Sequence, residues 1–324
     1  MTTRWRPLCE KPPWAIIRRL LATIPVMLVV AIFVFLMLRL TPSDPAAIIA
    51  GDNATAEQVA DIRSKLGLNE PILTQFFIWG SKILRGDLGE SFFFKKTVAE
   101  LISDRIEPTL SLSLFTILLA VMVAVPLGVL AAKRHGSIVD RLVMGFSVMG
   151  FSVPVFVIGY SLIYVFASEL RWFPTTGYRR IHDGAGPWAY YLVLPTLTLS
   201  VVYIALIARM TRTSMLEVLS EDYVRTARAK GQIERKVLFR HALRNAAVPI
   251  VTVIGLGIAL LIGGVVVTES VYSIPGLGRL TVEAVLARDF PVIQAVILMF
   301  SFVYVLINLL VDLVYSLLDP RIRY

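Results

Sequence analysis

The residues best suited to polar chemistry are concentrated in one stretch, EDYVRTARAKGQIERKVLFRHALRNAAVP, from Glu221 to Pro249. This stretch carries seven Lys and Arg side chains, yet it lies between two of the longest apolar runs in the chain. Cationic side chains can bind phosphates, acidic proteins or lipid headgroups, but alone they do not form a catalytic site. The class of partner therefore has to be inferred from what surrounds the stretch.

Side-chain combinations typical of enzymes are missing from the rest of the chain. There is no GxxxxGK[ST] phosphate-binding loop, and no serine lies in a nucleophile elbow. The GLG sequences that begin at Gly255 and Gly276 lack the third glycine of a dinucleotide site. The histidines do not have metal-ligand spacing: His135, His182 and His241. We expect no catalytic residue, no metal site and no cofactor bound by this chain.

The composition indicates a membrane protein. The chain of 324 residues is 56% hydrophobic and 17% charged, which is more apolar side chain than a soluble core of this size would bury. Six stretches of at least 19 residues lack Asp, Glu, Lys and Arg: Leu20–Leu38, Pro108–Ala132, Leu142–Ser168, Gly184–Ala208, Asn245–Thr268 and Pro291–Val311. At about 1.5 Å per residue, even the shortest reaches roughly 28 Å, close to the hydrocarbon thickness of a bilayer. We predict an all-α integral membrane protein with six transmembrane helices.

The first apolar run has an alternative interpretation as a signal peptide, because Arg18 and Arg19 precede it. Signal-peptide apolar regions are only about 7 to 15 residues long, and no A-x-A-like site follows Leu38. We therefore favour a retained helix over residues 20–38. Cys9 is the single cysteine, so no disulfide forms within the chain.

Lys and Arg predict the orientation. With the N-terminus in the cytoplasm, residues 1–19, the segment 133–141, the loop 209–244 and the tail from 312 hold 19 basic residues, against 5 in the outside loops 169–183 and 269–290. This asymmetry follows the positive-inside rule. The long segment 39–107 is nearly balanced in charge, so the net charge of +9 belongs to the cytoplasmic face and does not require nucleic acid.

Residues 39–107 are predicted to form a small extracytoplasmic subdomain. Thr55 and Gln58 form a capping box, and Gly67 suits the end of the helix that follows. The next stretch, PILTQFFIWGSKILRG, begins with Pro71 and is rich in aromatic residues. It is expected to lie at the membrane surface, with a solvated helical hairpin as the alternative.

The predicted spans contain no ionisable residue, whereas proton- or sodium-coupled carriers keep such groups at membrane depth. We therefore expect transport to be independent of an ion gradient. The polar residues that remain are candidates for a translocation path: Ser152, Tyr160, Thr198, Tyr203, Gln294 and Ser301. Glycines in the third and fifth spans are expected mainly to let helices approach closely.

The charged stretch is predicted to form two helices joined at Gly231. Before this glycine, apolar residues recur at spacings of three and four, which places them on one helical face: Leu216, Leu219, Tyr223 and Ala227. After it, a second helix with Ile233, Val237 and Ala242 on one side runs toward Pro249 and the fifth span. Nucleic-acid binding is poorly compatible with a loop that is joined to a membrane span at each end. Contact with lipid headgroups remains an alternative role for the loop.

This loop resembles the EAA loop of permease subunits of ATP-binding-cassette (ABC) importers. Ala227, Gly231 and Leu243 match its second Ala, its Gly and its Leu. Four positions depart from the general pattern: Arg225, Thr226, His241 and Arg244. The form YVRTARAKG with RHALRN is similar to the dipeptide, oligopeptide and nickel branch, as are LGLNEPILTQFFIWGSKILRGDLGES, YSIPGLGRLTVEAVLARDFPVIQ and the tail DPRIRY.

The resemblance implies a B-type permease with the type I ABC importer permease fold, whose transmembrane domain covers residues 108–316 and whose cytoplasmic tail covers 317–324. It implies a heterodimer with a second permease, two ATPase subunits that bind ATP and Mg, and an extracytoplasmic solute-binding protein. It also implies that the loop 209–244 carries the coupling helix that contacts the ATPase, with these contact residues: Tyr223, Arg225, Thr226, Ala227, Arg228 and Gly231.

Two further classes of function remain open from the sequence. An ATP-independent channel would need no ATPase subunits, so co-purification with such subunits discriminates it from an importer. A membrane-embedded enzyme is disfavoured because an acid, base and nucleophile constellation is missing. Within the importer class, the solute is expected to be a di- or oligopeptide, with nickel chelates and glutathione-like molecules as alternatives.

Overall fold

The structure, a computed structural model, describes residues 13–40, 46–47, 55–65 and 67–318, and these are almost entirely helical. The tail DPRIRY and Cys9 lie outside the described residues. The helices are α1 Pro13–Leu40, α2 Ala56–Lys65, α3 Ile72–Leu84, α4 Val98–Lys133, α5 Ile138–Ser152, α6 Val155–Leu162, α7 Ala185–Leu219, α8 Asp222–Ala229, α9 Glu234–Lys236, α10 Leu243–Val271, α11 Leu277–Leu286 and α12 Phe290–Leu318. The predicted all-α fold is confirmed.

All six apolar runs fall on helices. Four helical segments within the described chain are long and apolar enough to cross a membrane: Val98–Lys133, Ala185–Leu219, Glu234–Val271 and Phe290–Val311. The first run lies on α1, of which Leu21–Met37 forms a shorter apolar segment. The third run lies on a pair of helices, α5 and α6, which are bent by 103° at the break between them.

The break between α5 and α6 interrupts the third of the six predicted spans. Pro154 has no N–H to donate and sterically disfavours the helical conformation of the preceding residue, so Val153 is extended with φ −92° and ψ 123°. After α6 the chain continues as a π-helical segment, Ile163–Glu169. We refer to α5, α6 and this segment together as the broken span.

The fifth span also begins differently from the prediction. The predicted run starts at Asn245, whereas a π-helical segment, Val237–Ala242, joins α9 to α10 without a break, and Pro249 lies inside α10. The short helix after Gly231 is therefore continuous with the span, from Glu234 to Val271. A force on the Glu234 end of this helical segment therefore acts directly on a membrane-crossing helix.

The chain divides into two compact units, of which one contains residues 108–278 and the end of α12. Its apolar core is formed by residues of α4, α7 and α10 together with the loop that follows α10: Leu112, Ala120, Leu199, Tyr203, Ile207, Leu261, Val265, Tyr272 and Ile274. Several glycines permit this packing. A Cβ at Gly150 would clash with Ala205, and one at Gly264 would clash with Leu199. The expected packing role is confirmed for Gly150 and Gly264, whereas no atom lies within 4 Å of a Cβ added at Gly145 or Gly263.

The second unit contains residues 13–107 and 279–305. The predicted capping box forms, since Thr55 N donates to Gln58 Oε1 at 2.9 Å and Gln58 N donates to Thr55 Oγ1 at 3.3 Å. Gly67 ends this region with φ +65°, as expected for a residue just past a helix. Inside the unit, the ring of Phe35 on α1 contacts Phe76 and Trp79 of α3.

Candidate functional site

The charged loop 209–244 is not a loop for most of its length. Helix α7 continues through it to Leu219, and only Ser220 and Glu221 separate α7 from α8. Ser220 favours this break because its hydroxyl donates to the carbonyl of Glu217 at 2.6 Å and so caps the helix end. Asp222 then lies in the first turn of α8, where the helix dipole favours a negative charge.

One face of α8 attaches the helix to its own chain. Val224 is fully buried and Ala227 is 9% exposed, and both pack with Val237 against the end of α7 at Val218 and Leu219. This corrects the expected arrangement, in which Tyr223 and Ala227 shared an outward apolar face. The apolar residues of α8 pack on their own chain, so a partner protein would contact a different face of this helix.

The opposite face of α8 is polar and exposed. It presents these side chains: Tyr223, Arg225, Thr226 and Arg228. Arg225 pairs with Asp222 at 3.2 Å, and Arg228 pairs with Glu234 at 2.9 Å. Exposed ion pairs of this kind contribute only about 0–1 kcal/mol, so both guanidinium groups can exchange these partners for acidic groups of another protein.

Gly231 forms the turn after α8, as predicted. Its φ is +71°, its N–H donates to the carbonyl of Arg228 at 2.9 Å, and the N–H of Gln232 donates to the carbonyl of Ala227 at 3.3 Å. No atom lies within 4 Å of where a Cβ would be, so the glycine is needed for its conformation and not for space. The turn sets the direction in which α9 leaves.

Asn245 is a residue of this site that sequence reasoning missed. Its side-chain amide donates to the Tyr223 hydroxyl at 2.9 Å and to the carbonyl of His241 at 2.8 Å, linking α8 to α10. Burial raises the pKa of Tyr223, while the hydrogen bond from Asn245 lowers it and the charge of Glu221 raises it. With a net upward shift, the phenol stays neutral at physiological pH and acts as a hydrogen-bonding group. The motif RHALRN contained Asn245, but its contact with Tyr223 depends on the turn at Gly231.

The candidate path residues do not form one cluster in the described structure. On α7, Thr198 is buried and its hydroxyl contacts the Tyr272 hydroxyl at 2.7 Å. Tyr203, on the same helix, is 4% exposed and lies against Gly257 and Gly264. Both side chains therefore pack inside this chain.

The remaining path candidates are distributed over two other elements. Ser152 and Tyr160 are exposed on the broken span, on either side of Pro154. On α12, the side-chain amide of Gln294 donates to the carbonyl of Val34 at 3.2 Å, and Ser301 donates to the carbonyl of Ile297 at 2.8 Å. Of the six candidates, Ser152 and Tyr160 are the ones freely presented to a molecule outside this chain.

A buried carboxyl lies just beyond the fifth apolar run. Glu269 is in the last turn of α10 with no exposed surface, and it accepts a hydrogen bond from the Thr109 hydroxyl at 2.5 Å. Thr109 in turn accepts from the Leu277 N–H at 2.8 Å. Gly276 and Gly278 pack directly on the carboxyl, which explains the second GLG sequence as a close approach of backbone to Glu269.

Among the described residues, no three His, Cys, Asp or Glu side chains converge as a metal site would require. The histidines instead make local contacts. His241 contacts the side chain of Gln232 at 2.9 Å, and His182 lies 3.3 Å from Asp183.

Comparison with known families covers almost the whole chain. Residues 124–324 match the family described as binding-protein-dependent transport system inner membrane component. Residues 14–113 match the N-terminal family described for the membrane component of the same transport systems. The N-terminal match ends at residue 113 and the other match begins at residue 124.

Two relatives illustrate the similarity. A protein of Sinorhizobium fredii named as a probable peptide ABC transporter permease is 60% identical, with 95% of this chain and 99% of the relative covered. The glutathione transport system permease protein of Salmonella typhimurium is 44% identical, with 95% of this chain and 98% of the relative covered.

In structure, the chain is similar to one chain of the MetNI methionine ABC transporter in an inward-facing conformation. The TM-score is 0.56 at 18% sequence identity, and the match covers 68% of this chain and 96% of that one. The structural likeness supports the permease fold.

Proposed function

Because this chain belongs to the binding-protein-dependent transport system inner membrane component family, we propose that it is a membrane-spanning permease subunit of an ATP-driven ABC importer. It would form the translocation path together with a second permease subunit. Two ATPase subunits would bind ATP and Mg, and an extracytoplasmic binding protein would deliver the solute. This chain itself would carry out transport and no chemical conversion.

The observation that carries the proposal is the construction of α8. It is a short helix held on the end of a long span by Val224 and Ala227, with a polar face exposed and a fixed turn at Gly231. A helix of this kind can be docked in a groove of another protein while remaining rigidly attached to its own spans. We propose that α8 is the coupling helix and that its exposed face contacts an ATPase subunit.

The mechanism follows from this attachment. ATP binding brings the two ATPase subunits together, and any helix docked on them is displaced. Because Leu219 and Val237 contact the buried face of α8, displacement of α8 moves the ends of α7 and of the segment leading into α10. A flexible loop would absorb the same displacement and leave the spans in place.

The solute is proposed to be a di- or oligopeptide, supported by the name of the 60% identical relative. Glutathione, itself a small peptide, is the second candidate because of the 44% identical relative. A nickel chelate is a third. Mass spectrometry of the solute retained by the purified cognate binding protein would discriminate them, and retention of a metal chelate alone would overturn the peptide assignment.

We propose that the protein lies in a bacterial inner membrane with both termini in the cytoplasm. The asymmetry of Lys and Arg supports this orientation. Reporter fusions after residues 85, 176 and 280 should report an outside location, and fusions after 137, 230 and 324 an inside location. A consistent inversion would overturn the orientation and with it the placement of α8.

Crosslinking tests the docking role of α8. In a Cys9→Ser background, single cysteines at 223, 225 and 226 should crosslink to the ATPase subunits in the assembled complex, because these positions are exposed. A cysteine at 224, which is fully buried, is the matched control and should not react. If cysteines in the segment 133–141 crosslink and those on α8 do not, the docking element is misassigned. If no ATPase subunit co-purifies at all, an ATP-independent channel becomes the better explanation.

A further inference from the structure

An ion pair connects two helices of the unit that contains residues 108–278. Asp140, in the first turn of α5, is 3% exposed, and both of its carboxylate oxygens face Arg212 of α7. Arg212 Nε donates to Oδ1 at 2.5 Å and Arg212 Nη2 donates to Oδ2 at 2.8 Å. The two residues are 72 positions apart, so the pair is a tertiary contact with the two-point geometry of a guanidinium on a carboxylate.

The turn before α5 holds the same carboxylate from the other side. The Gly136 N–H donates to Asp140 Oδ2 at 3.0 Å, and Nδ1 of His135 lies 3.1 Å from this oxygen. His135 Nδ1 also lies 3.1 Å from Arg212 Nη2. Asp140 therefore has a single orientation, determined by its own turn and by α7 together.

The position of Arg212 relates this pair to α8. Arg212 lies seven residues before Leu219, at the end of α7 to which α8 is attached. Helix α7 is uninterrupted between these two residues, so a displacement of its end carries Arg212 along. Asp140 stands at the start of the broken span, which continues over Pro154 to the exposed Tyr160.

Attachment of α5 to α7 does not depend on the ion pair. Gly150 lets α5 approach α7 so closely that a Cβ there would lie 2.9 Å from the Cβ of Ala205, and Val143 belongs to the same apolar core as Ile204 and Ala208. Apolar contacts of this kind permit sliding between helices, whereas a two-point ion pair has one register. Buried ion pairs are also weak evidence for a purely stabilising role.

We propose that Asp140 and Arg212 are positioning residues that transmit the displacement of α8 to the broken span during the transport cycle, which rests on the proposed coupling function of α8. The pair makes α7 and the start of α5 move as one piece. The break at Pro154 then converts this movement into a change in the direction of α6, where Tyr160 and its neighbours are exposed.

The test uses the complete complex in lipid nanodiscs, with this chain in a Cys9→Ser background. Spin labels are attached to single cysteines at 225 on α8 or at 160 on α6, both exposed positions. Label mobility is recorded without nucleotide and with MgATP plus vanadate. In the unaltered pair, both labels should respond to nucleotide.

Variants of the pair should separate the two responses. With Asp140→Asn or Arg212→Gln, the label at 225 should still respond, while the response at 160 should fall at least about fivefold, the lower range of measured coupling between sites. The double variant should lose no more than either single variant, because both remove one interaction. Arg209→Gln removes the same charge from an exposed position one turn earlier on α7, and it should leave the response at 160 unchanged.

Exchanging the two charges distinguishes loss of the ion pair from a failure of the variant complexes to assemble. The double variant Asp140→Arg with Arg212→Asp should restore part of the response at 160 if the pair transmits movement. A full response of the label at 160 in assembled Asp140→Asn or Arg212→Gln complexes would overturn the proposal. The proposal would also be overturned if, in the chain with the unaltered pair, the label at 225 responds to nucleotide and the label at 160 does not. A label at 225 that never responds would instead contradict the coupling role of α8.

Discussion

Gly231 is the residue of α8 and its turn for which one substitution has the clearest expected effect. Its φ of +71° lies in the left-handed region, which costs a β-branched residue on the order of 1 kcal/mol or more. Gly231→Val should therefore displace α9 and lower uptake by about tenfold or more, while the protein still inserts.

Gly231→Asn is the matched control, because Asn tolerates the left-handed region and nothing lies within 4 Å of the added Cβ. It should retain most of the uptake activity. If Gly231→Val transports as well as Gly231→Asn, the direction of the turn is not important for coupling.

Thr109 supports the buried carboxyl of Glu269 at the opposite end of α10 from α9. Its hydroxyl donates to Glu269 and accepts from the Leu277 N–H, so Thr109→Val removes two buried hydrogen bonds at nearly constant volume. The free energy of unfolding should fall by about 1–3 kcal/mol. Thermal unfolding of the purified complex in detergent would measure the loss.

Thr252→Val is the control for this substitution, because the Thr252 hydroxyl is exposed and bonds only the carbonyl of Val248 in its own helix. It should change stability by a few tenths of a kcal/mol at most. Equal effects of the two variants would show that the Glu269 contacts contribute little.

At the scale of single elements, α3 has a side that its own unit leaves exposed. Phe76 and Trp79 pack on Phe35, which lies three residues before the end of the first apolar run, or about 4.5 Å along α1. The opposite side exposes Leu73, Phe77 and Leu84 at spacings of four and seven. Contact with α1 at this depth favours the expected position of α3 at the membrane surface.

A fluorescent label on a cysteine at 77 should therefore be quenched by brominated phospholipids in nanodiscs, in a Cys9→Ser background. A label on a cysteine at 61, in the charged helix α2, is the control and should be quenched much less. Equal quenching would favour the solvated hairpin. Protection of position 77 only when the binding protein is added would instead assign this face to a protein contact.

The sequence predicted those elements whose signal is local. The apolar runs, the capping box of Thr55 and Gln58 and the turn at Gly231 each depend on residues within a few positions. The side of α8 that is buried did not follow from periodicity, because Val224, Ala227 and Tyr223 are all compatible with an apolar face. The contact with Val237, ten residues after Ala227 and beyond the turn, decides it together with the packing on Val218 and Leu219.

The bend in the third span illustrates the same limit. Pro154 predicts a weak point, but prolines at Pro126, Pro195 and Pro249 lie inside helices that continue. Whether a proline bends or ends a helix depends on the tertiary contacts that replace the lost hydrogen bond. The pairing of Asp140 with Arg212 is likewise invisible in the sequence, since it joins two helices 72 positions apart.

At the scale of the whole molecule, the distribution of ionisable groups bears on the source of energy. The six apolar runs contain no Asp, Glu, Lys or Arg, and the nearest buried carboxyl, Glu269, is hydrogen-bonded to Thr109 at one end of α10. A carrier driven by protons or sodium needs a group at membrane depth that binds and releases the ion during the cycle. The described structure places Glu269 among close-packed backbone of Gly276 and Gly278, where a cycling sodium ion would have no room.

Uptake should consequently follow ATP and not an ion gradient. In vesicles that contain the complete complex and an ATP-regenerating system, ionophores that abolish proton and sodium gradients should leave the initial rate of uptake unchanged. Omission of ATP should stop uptake even when both gradients are imposed.

The variant Glu269→Gln distinguishes an ATP-driven importer from a proton-coupled carrier. It removes a titratable proton while keeping a side-chain oxygen that can accept a hydrogen bond from Thr109. If this variant assembles and transports with ATP, Glu269 has a structural role. If ionophores stop uptake at constant ATP, and Glu269→Gln also stops it, the carboxyl carries a coupling proton. The assignment as an ATP-driven importer is then wrong.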